Sequence, residues 1–314
     1  MAFERLAAYD VTLNTVVTEF IQRRNARETS ISFKELFGRF INSRNNRSAA
    51  YLLSLKYTLP RFHQLHERLV TDLQPNDIES ELAGMTSAVR NAFLRNLRAV
   101  FNYGVKRGWL DQNPISKLDF ETIKRGEVVT LSPKQAAALL KTVELNRDLL
   151  PYHVLGLFAG IRPLELQRLN WRDIDLDEGR IEITAEVSKT GRRRIINIEP
   201  NLKAWLNHYI TAGGGIVGNL VPLVNLRTRV RLIRSAAGLT DWTQDVMRHS
   251  YASYWLAQHG DINQLTLQMG HENPDMLWKH YHKASKKKDA ALYWAIMPAP
   301  IGDGERKIVS IEAA

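Results

Sequence analysis

The sequence predicts a mainly α protein with one small antiparallel β-sheet, arranged as two domains. Three observations carry this. Apolar residues recur at helical spacing along most of the chain, they switch once to alternation around residues 172–198, and one turn-rich stretch without a period separates two patterned halves. The length of 314 residues agrees with two domains of roughly 100–200 residues each.

Residues 1–30 read as an N-terminal extension. The first domain, 31–113, is expected to be all helical. Phe33, Leu36, Phe37, Phe40 and Ile41 form one stripe, and Val89, Phe93, Leu97, Val100, Phe101 and Val105 form another that stops at Gly108. Between them, a helix over about 47–66 contains Pro60, expected to kink it, and a short helix opens at Pro75-Asn76-Asp77. Residues 114–130 supply turn formers and no sustained period, which predicts a linker. Ser132-Pro133 then caps and opens a helix over 134–143, the start of a second domain spanning 131–298. Ile174 and Leu176, a turn at Asp177-Glu178-Gly179, Ile181 and Ile183, a turn at Lys189-Thr190-Gly191, and Ile195, Ile196 and Ile198 predict a three-stranded meander. Helices follow at about 200–210, 226–237, 244–258, 261–269, 273–281 and 285–296, then a tail, 299–314.

Composition narrows the function. There are no cysteines, which excludes a disulfide framework, a thiolate zinc finger and a cysteine nucleophile. No apolar run approaches the about 18 residues of a membrane span, and the first residues lack the apolar core of a signal peptide, so an intracellular, cytoplasmic protein with no membrane partner is expected. The net charge of +10 points to a polyanionic partner, nucleic acid before membrane. Residues 1–130 carry 19 basic and 14 acidic side chains and residues 131–314 carry 24 and 19, so each half is +5 and the basicity is not one detachable tail.

Gly213, Gly215 and Gly218 match a dinucleotide fingerprint in spacing but follow a helix, so they read as a loop. No phosphate-cradling G-x-x-x-x-G-K-[ST] loop occurs, and His271-Glu272 lacks the second histidine of a zinc site, so neither cofactor nor metal is expected. What remains is a dispersed set of basic residues, a histidine and a tyrosine. Gly160-Ile161-Arg162-Pro163-Leu164-Glu165-Leu166 puts an arginine after a glycine turn at a helix start, where amides favour an anion. Lys189 stands in the hairpin turn ahead of Arg192, Arg193 and Arg194, followed by Met247-Arg248-His249-Ser250, Met269-Gly270-His271 and His280-Tyr281-His282. Singly these read as a surface arginine paired with Glu165, a solvated hairpin tip and ordinary helix residues.

In this order they resemble the tyrosine recombinase (phage integrase) family over roughly residues 31–298: a G-x-R-x-x-E-L box, a hairpin lysine, an arginine followed by His and Ser, an L-G-H-like triplet, and a tyrosine about ten residues on. The resemblance implies a helical core-binding domain preceding an α+β catalytic domain. It further implies Arg162, Lys189, Arg248, His271 and Tyr281 as catalytic residues, a 3′-phosphotyrosine intermediate, double-stranded DNA as substrate, four copies of the chain on two duplexes, and accessory DNA-bending proteins as further partners. Tyr251, Tyr254 and Tyr293 compete for the nucleophile's role but sit in apolar helical contexts that suit core packing.

One departure stands out: the second box normally holds a histidine three residues before its arginine, and this chain has Asp245. A carboxylate beside phosphate is unfavourable unless paired or turned away, which keeps open a weakened DNA-binding protein of the same fold; a DNA-relaxing enzyme is the other alternative. Arg90, Asn91, Arg95 and Arg98 on the 86–107 helix, Arg192 in the hairpin, and Arg227, Arg229, Arg231 and Arg234 are expected to contact DNA. The last helix is too apolar for a free tail and is expected to dock, either on its own domain or, as the resemblance implies, on a neighbouring copy, to which the alternating Ile308-Val309-Ser310-Ile311 could add a strand.

Overall fold

The computed structural model describes residues 11–123, 128–281 and 286–300. It is mostly helical with one three-stranded sheet, and the chain divides into two compact units, Met1–Arg125 and Gly126–Ala314. No helix among the described residues is long and apolar enough to cross a membrane.

In the first unit, α1 (Leu13–Glu28) starts at Thr12, whose hydroxyl accepts from the Thr15 amide, and leaves Leu13, Val17, Phe20 and Ile21 exposed. Next come α2 (Phe33–Asn42), α3 (Ala49–Arg61), α4 (Pro75–Leu82) and α5 (Ser87–Lys106). Phe33, Leu36, Phe37 and Phe40 of α2 are fully buried against Leu94, Leu97, Val100 and Phe101 of α5. Val89, assigned by its spacing to that stripe, is exposed instead, because the buried face of α5 begins at Asn91. Pro60 ends α3 rather than kinking a longer helix: the helix stops at Arg61, as expected where a ring without an N–H clashes with the preceding turn. The expected linker also needs correction. Ile115 and Leu118 are buried in the first core and Pro114 is buried beside them, so the chain leaves this unit later than its turn residues suggest. Residues 124–127 of the expected linker lie outside the described residues.

The second unit holds α6 (Pro133–Val143), α7 (Leu150–Phe158), the one-turn α8 (Pro163–Leu166), the sheet, then α9 (Pro200–Thr211), α10 (Leu226–Ala236), α11 (Val246–His259), α12 (Ile262–Met269), α13 (Pro274–Tyr281) and α14 (Lys287–Trp294). Strands β1 (Ile174–Asp175), β2 (Arg180–Ile183) and β3 (Arg194–Asn197) pair antiparallel in chain order, with Ile181 opposite Ile174 and Ile196, and Ile183 opposite Arg194. Helix α7 had no counterpart in the sequence reading. All nine of its residues are buried, so it has no polar face and no amphipathic period to detect.

Of the two expected docking sites for the last helix, its own unit receives the Tyr293 and Trp294 face, while Leu292 and Met297 stay exposed. Tyr293 is fully buried with its hydroxyl donating to the Leu157 carbonyl (2.6 Å), and the Trp294 indole donates to the Tyr254 carbonyl (3.3 Å). Ile308–Ile311, the other half of that expectation, lies outside the described residues.

Candidate active site

The site is assembled from the ends of elements. After α7 the chain turns at Gly160, whose φ of +61° suits glycine, and a Cβ there would lie 2.4 Å from the Tyr251 ring. This turn delivers Arg162 to the start of α8. The amide expected to receive an anion is already used: the Glu165 carboxylate accepts from the Arg162 amide (3.2 Å). Glu165 is fully buried and also accepts from Arg162 Nη1 (3.1 Å), the Lys189 amide (3.2 Å), and Arg194 Nη1 and Nη2 (3.2 and 2.6 Å). Burial opposes its charge, but the Arg194 hydrogen bonds and charge, with the Lys189 amide and Arg162, hold its pKa at about 2. One carboxylate therefore ties the first box to the β2–β3 hairpin, while the Lys189 side chain stays exposed.

Arg194 was not singled out by the sequence reading, which followed the isoleucines of β3. Alternation places Arg194 on the buried face with Ile196, and its Nε donates to the Gln268 carbonyl (2.9 Å). Gly270 closes α12 at φ +63°, and a Cβ there would press on Arg194 Cδ at 3.0 Å. The signal was available in the even spacing from Ile196, but a charge at an inward position reads as an exception to the pattern.

Arg248, in the first turn of α11, is buried; Nη1 donates to the Gly160 carbonyl and Nη2 to that of Met269, each at 2.5 Å. These bonds join all three boxes. Burial, then the charges of Arg162 and Arg194, lower its pKa to about 9, leaving it charged at neutral pH. Its five N–H donors exceed the two carbonyls, so donors remain for a phosphate. His271 follows Gly270. Burial, then the Arg248, Arg162 and Arg194 charges, push its pKa down to about 4, so it is neutral at pH 7.

Tyr281 ends α13 and is 6% exposed, packed in a small core with Tyr251, Trp255, Leu265, Met269 and Leu277. Burial raises its pKa to about 12; Arg248 and Arg162 act in the opposite sense and Asp245 in the same sense. Its hydroxyl lies 2.5 Å from His249 Nδ1, a contact the sequence reading missed, since His249 served there only as part of the second box. Asp245 sits just before α11 at φ +62°, a left-handed conformation that Asp, Asn and His adopt more readily than most residues. The competing tyrosines are tied into the core: Tyr251 to Gln268 Oε1 (3.3 Å), Tyr254 to the Leu131 carbonyl (2.9 Å) and Tyr293 as above.

The residues expected on DNA divide. Arg90 is 12% exposed and bound to the Asp119 carbonyl, Glu79 and Glu121, and Asn91 is buried on the Glu121 backbone, so both hold their own unit together rather than presenting to a partner. Arg98 lies over the Phe120 ring at 4.5 Å and Arg229 pairs with Asp148 (2.6 Å). Arg192 pairs with Glu272 (2.8 Å) at the surface, and Arg234 lies 5.9 Å from the Trp242 ring. Arg95, Arg227 and Arg231 are exposed.

With this geometry in view, the comparison with known proteins is direct: the family model described as "Phage integrase family" matches residues 130–288. The chain belongs to the phage integrase family. Among curated members, tyrosine recombinase XerC of Roseiflexus castenholzii is 26% identical over 272 residues, 76% of this chain and 84% of that protein. Tyrosine recombinase XerD of Shewanella oneidensis is 23% identical over 256 residues, 73% and 83% respectively. The phage integrase fold extends to both units: a lambda integrase, solved as a tetramer bound to a Holliday junction, superposes with a TM-score of 0.68 at 16% identity, covering 86% of this chain and 87% of that one.

Proposed function

We propose that the chain is a tyrosine-type site-specific recombinase that cuts and rejoins double-stranded DNA through Tyr281. The observation that carries this is the convergence of charge. Arg248 and Arg162 both act on the Tyr281 hydroxyl and on His271, so a nucleophile, two guanidinium groups and a neutral imidazole share one site. Attack by Tyr281 Oη on phosphorus forms a P–O bond, breaks the bond to the 5′ oxygen and leaves a 3′-phosphotyrosine. Arg162 and Arg248 stabilise the negative charge that gathers on the non-bridging oxygens, His271 donates a hydrogen bond, and Lys189 protonates the departing oxygen. Rejoining reverses each step with a new 5′-hydroxyl, and the phosphotyrosine conserves the bond energy, so no nucleotide is consumed.

The lambda integrase tetramer on a Holliday junction supports extending the proposal to four copies on two duplexes. Accessory DNA-bending proteins as further partners and the nucleoid as the place of action are part of the same proposal and rest on the family resemblance alone. A second reading, a DNA-binding protein with weakened cleavage, is favoured by Asp245, whose charge makes the Tyr281 hydroxyl a weaker acid. A nicked duplex that loses its leaving strand decides between them by trapping a covalent adduct. Tyr281→Phe should abolish the adduct and leave duplex affinity within a few-fold, since it removes one oxygen and no charge. An adduct from the Phe variant would mean another nucleophile.

A further inference from the structure

We infer that His249 is the catalytic base that takes the proton of Tyr281. The inference rests on the recombinase reading above and adds a residue to its chemistry. His249 Nδ1 lies 2.5 Å from Tyr281 Oη, the reacting atom, and the two rings are tilted at 41° with centroids 5.8 Å apart. This contact brings an ionisable side chain within hydrogen-bond distance of that hydroxyl. The backbone holds His249 in the first turn of α11, where its amide donates to the Asp245 carbonyl (2.8 Å), and from there its imidazole reaches Tyr281 at the end of α13.

The chemistry requires such a group. A tyrosine buried enough to have a pKa of about 12 is a poor nucleophile while it keeps its proton. The other histidine is less suited, because burial and three arginine charges make protonated His271 costly. The slot three residues before Arg248 holds a carboxylate at a left-handed residue, and the acceptor that reaches the phenol is one helical turn further on. In the step itself, Oη bonds to phosphorus, the phenolic proton passes to His249 Nδ1, the P–O5′ bond breaks, and the 5′ oxygen takes a proton from Lys189. The Nε2 tautomer of neutral His249 is needed, and the imidazolium returns its proton to Oη when the strand is rejoined. Because an imidazolium is a far stronger acid than this phenol, transfer accompanies P–O bond formation rather than preceding it.

The test uses the full chain and a duplex that this protein selects from a randomised pool, nicked to trap the adduct, with the cleavage position mapped on the unmodified protein. His249→Ala should slow single-turnover cleavage by about a hundredfold or more, the range of general-base contributions, with duplex affinity unchanged within about threefold. His249→Asn, which keeps an acceptor near the Nδ1 position but takes no proton at neutral pH, should be equally slow. On the same duplex with sulfur replacing the 5′ leaving oxygen, whose thiolate departs without protonation, the Lys189→Ala defect should disappear and the His249 defect should persist. Cleavage by His249→Ala within threefold of normal, recovery in His249→Asn, or loss of the His249 defect on the sulfur substrate would each overturn the inference while leaving Tyr281 as the nucleophile. No adduct with the unmodified protein would overturn the recombinase reading and the inference with it.

Discussion

Glu165 is the residue on which the site's geometry turns, because its one carboxylate meets Arg162, the Lys189 amide and Arg194. Its folded-state pKa, about 2, lies below the usual value near 4.3, so its ion pairs stabilise the fold above the unfolded pKa and that contribution is lost as pH falls from about 4.3 towards 2. Glu165→Gln should remove this dependence and leave Arg194 buried without its counter-charge, costing about 3–5 kcal/mol. Urea unfolding of both proteins at pH 7 and pH 3 checks it: the gap between them should narrow at low pH, and a constant gap would exclude the ionic origin. Asp245 poses the opposite case, a negative group that opposes ionisation of Tyr281, the proposed nucleophile. Histidine is at home in the left-handed conformation found there, so Asp245→His should fold normally and preserve or increase cleavage. A rate at least tenfold lower with unchanged DNA affinity would show that the carboxylate positions Arg248 instead.

At the scale of elements, the order of boxes was legible in the sequence because each sits where a periodic pattern breaks. Gly160, Gly270 and the hairpin turn are all marked by residues that punctuate helices and strands. What was not legible has a common cause: burial on every side removes the alternation that reveals an element. Helix α7 lacks a polar face, and Arg194 sits at an inward position of β3 that pattern assigns to an apolar residue. The Tyr281–His249 contact joins positions 32 residues apart on two helices, and no spacing rule within either helix encodes it. Gly160 tests how strictly these breaks are needed. Gly160→Ala combines a φ of +61° with a Cβ 2.4 Å from the Tyr251 ring, so it should lower the melting temperature and cut cleavage together, since the same turn supplies the Arg248 acceptor and delivers Arg162. Unchanged melting and cleavage would mean that the turn relaxes freely.

At the scale of the whole chain, the two units are legible from the two patterned halves, and their division at Arg125–Gly126 falls inside the expected 114–130 linker, whose first residues the structure adds to the first unit. Residues 114–118 belong to the first core, since Ile115 and Leu118 outweigh the turn residues around them. Likewise α14 belongs to the second core: Tyr293 packs edge-on to Phe158 at 5.3 Å and stacks on Tyr254 at 4.2 Å. The Ala290 and Tyr293 side of the helix that suggested docking is thus covered within the unit, while Leu292 stays exposed. A deletion of residues 285–314 should accordingly fail by destabilising the catalytic unit rather than by blocking assembly alone. Tyr293→Ala isolates this, because a large buried aromatic replaced by alanine costs about 3–5 kcal/mol, and its cleavage on a single duplex should fall with the folded fraction as temperature rises. If the deleted chain melted as the full chain does and bound one duplex normally, yet failed to bring two duplexes together, the helix would serve the assembly after all, and its packing against Phe158 and Tyr254 would contribute little to the fold.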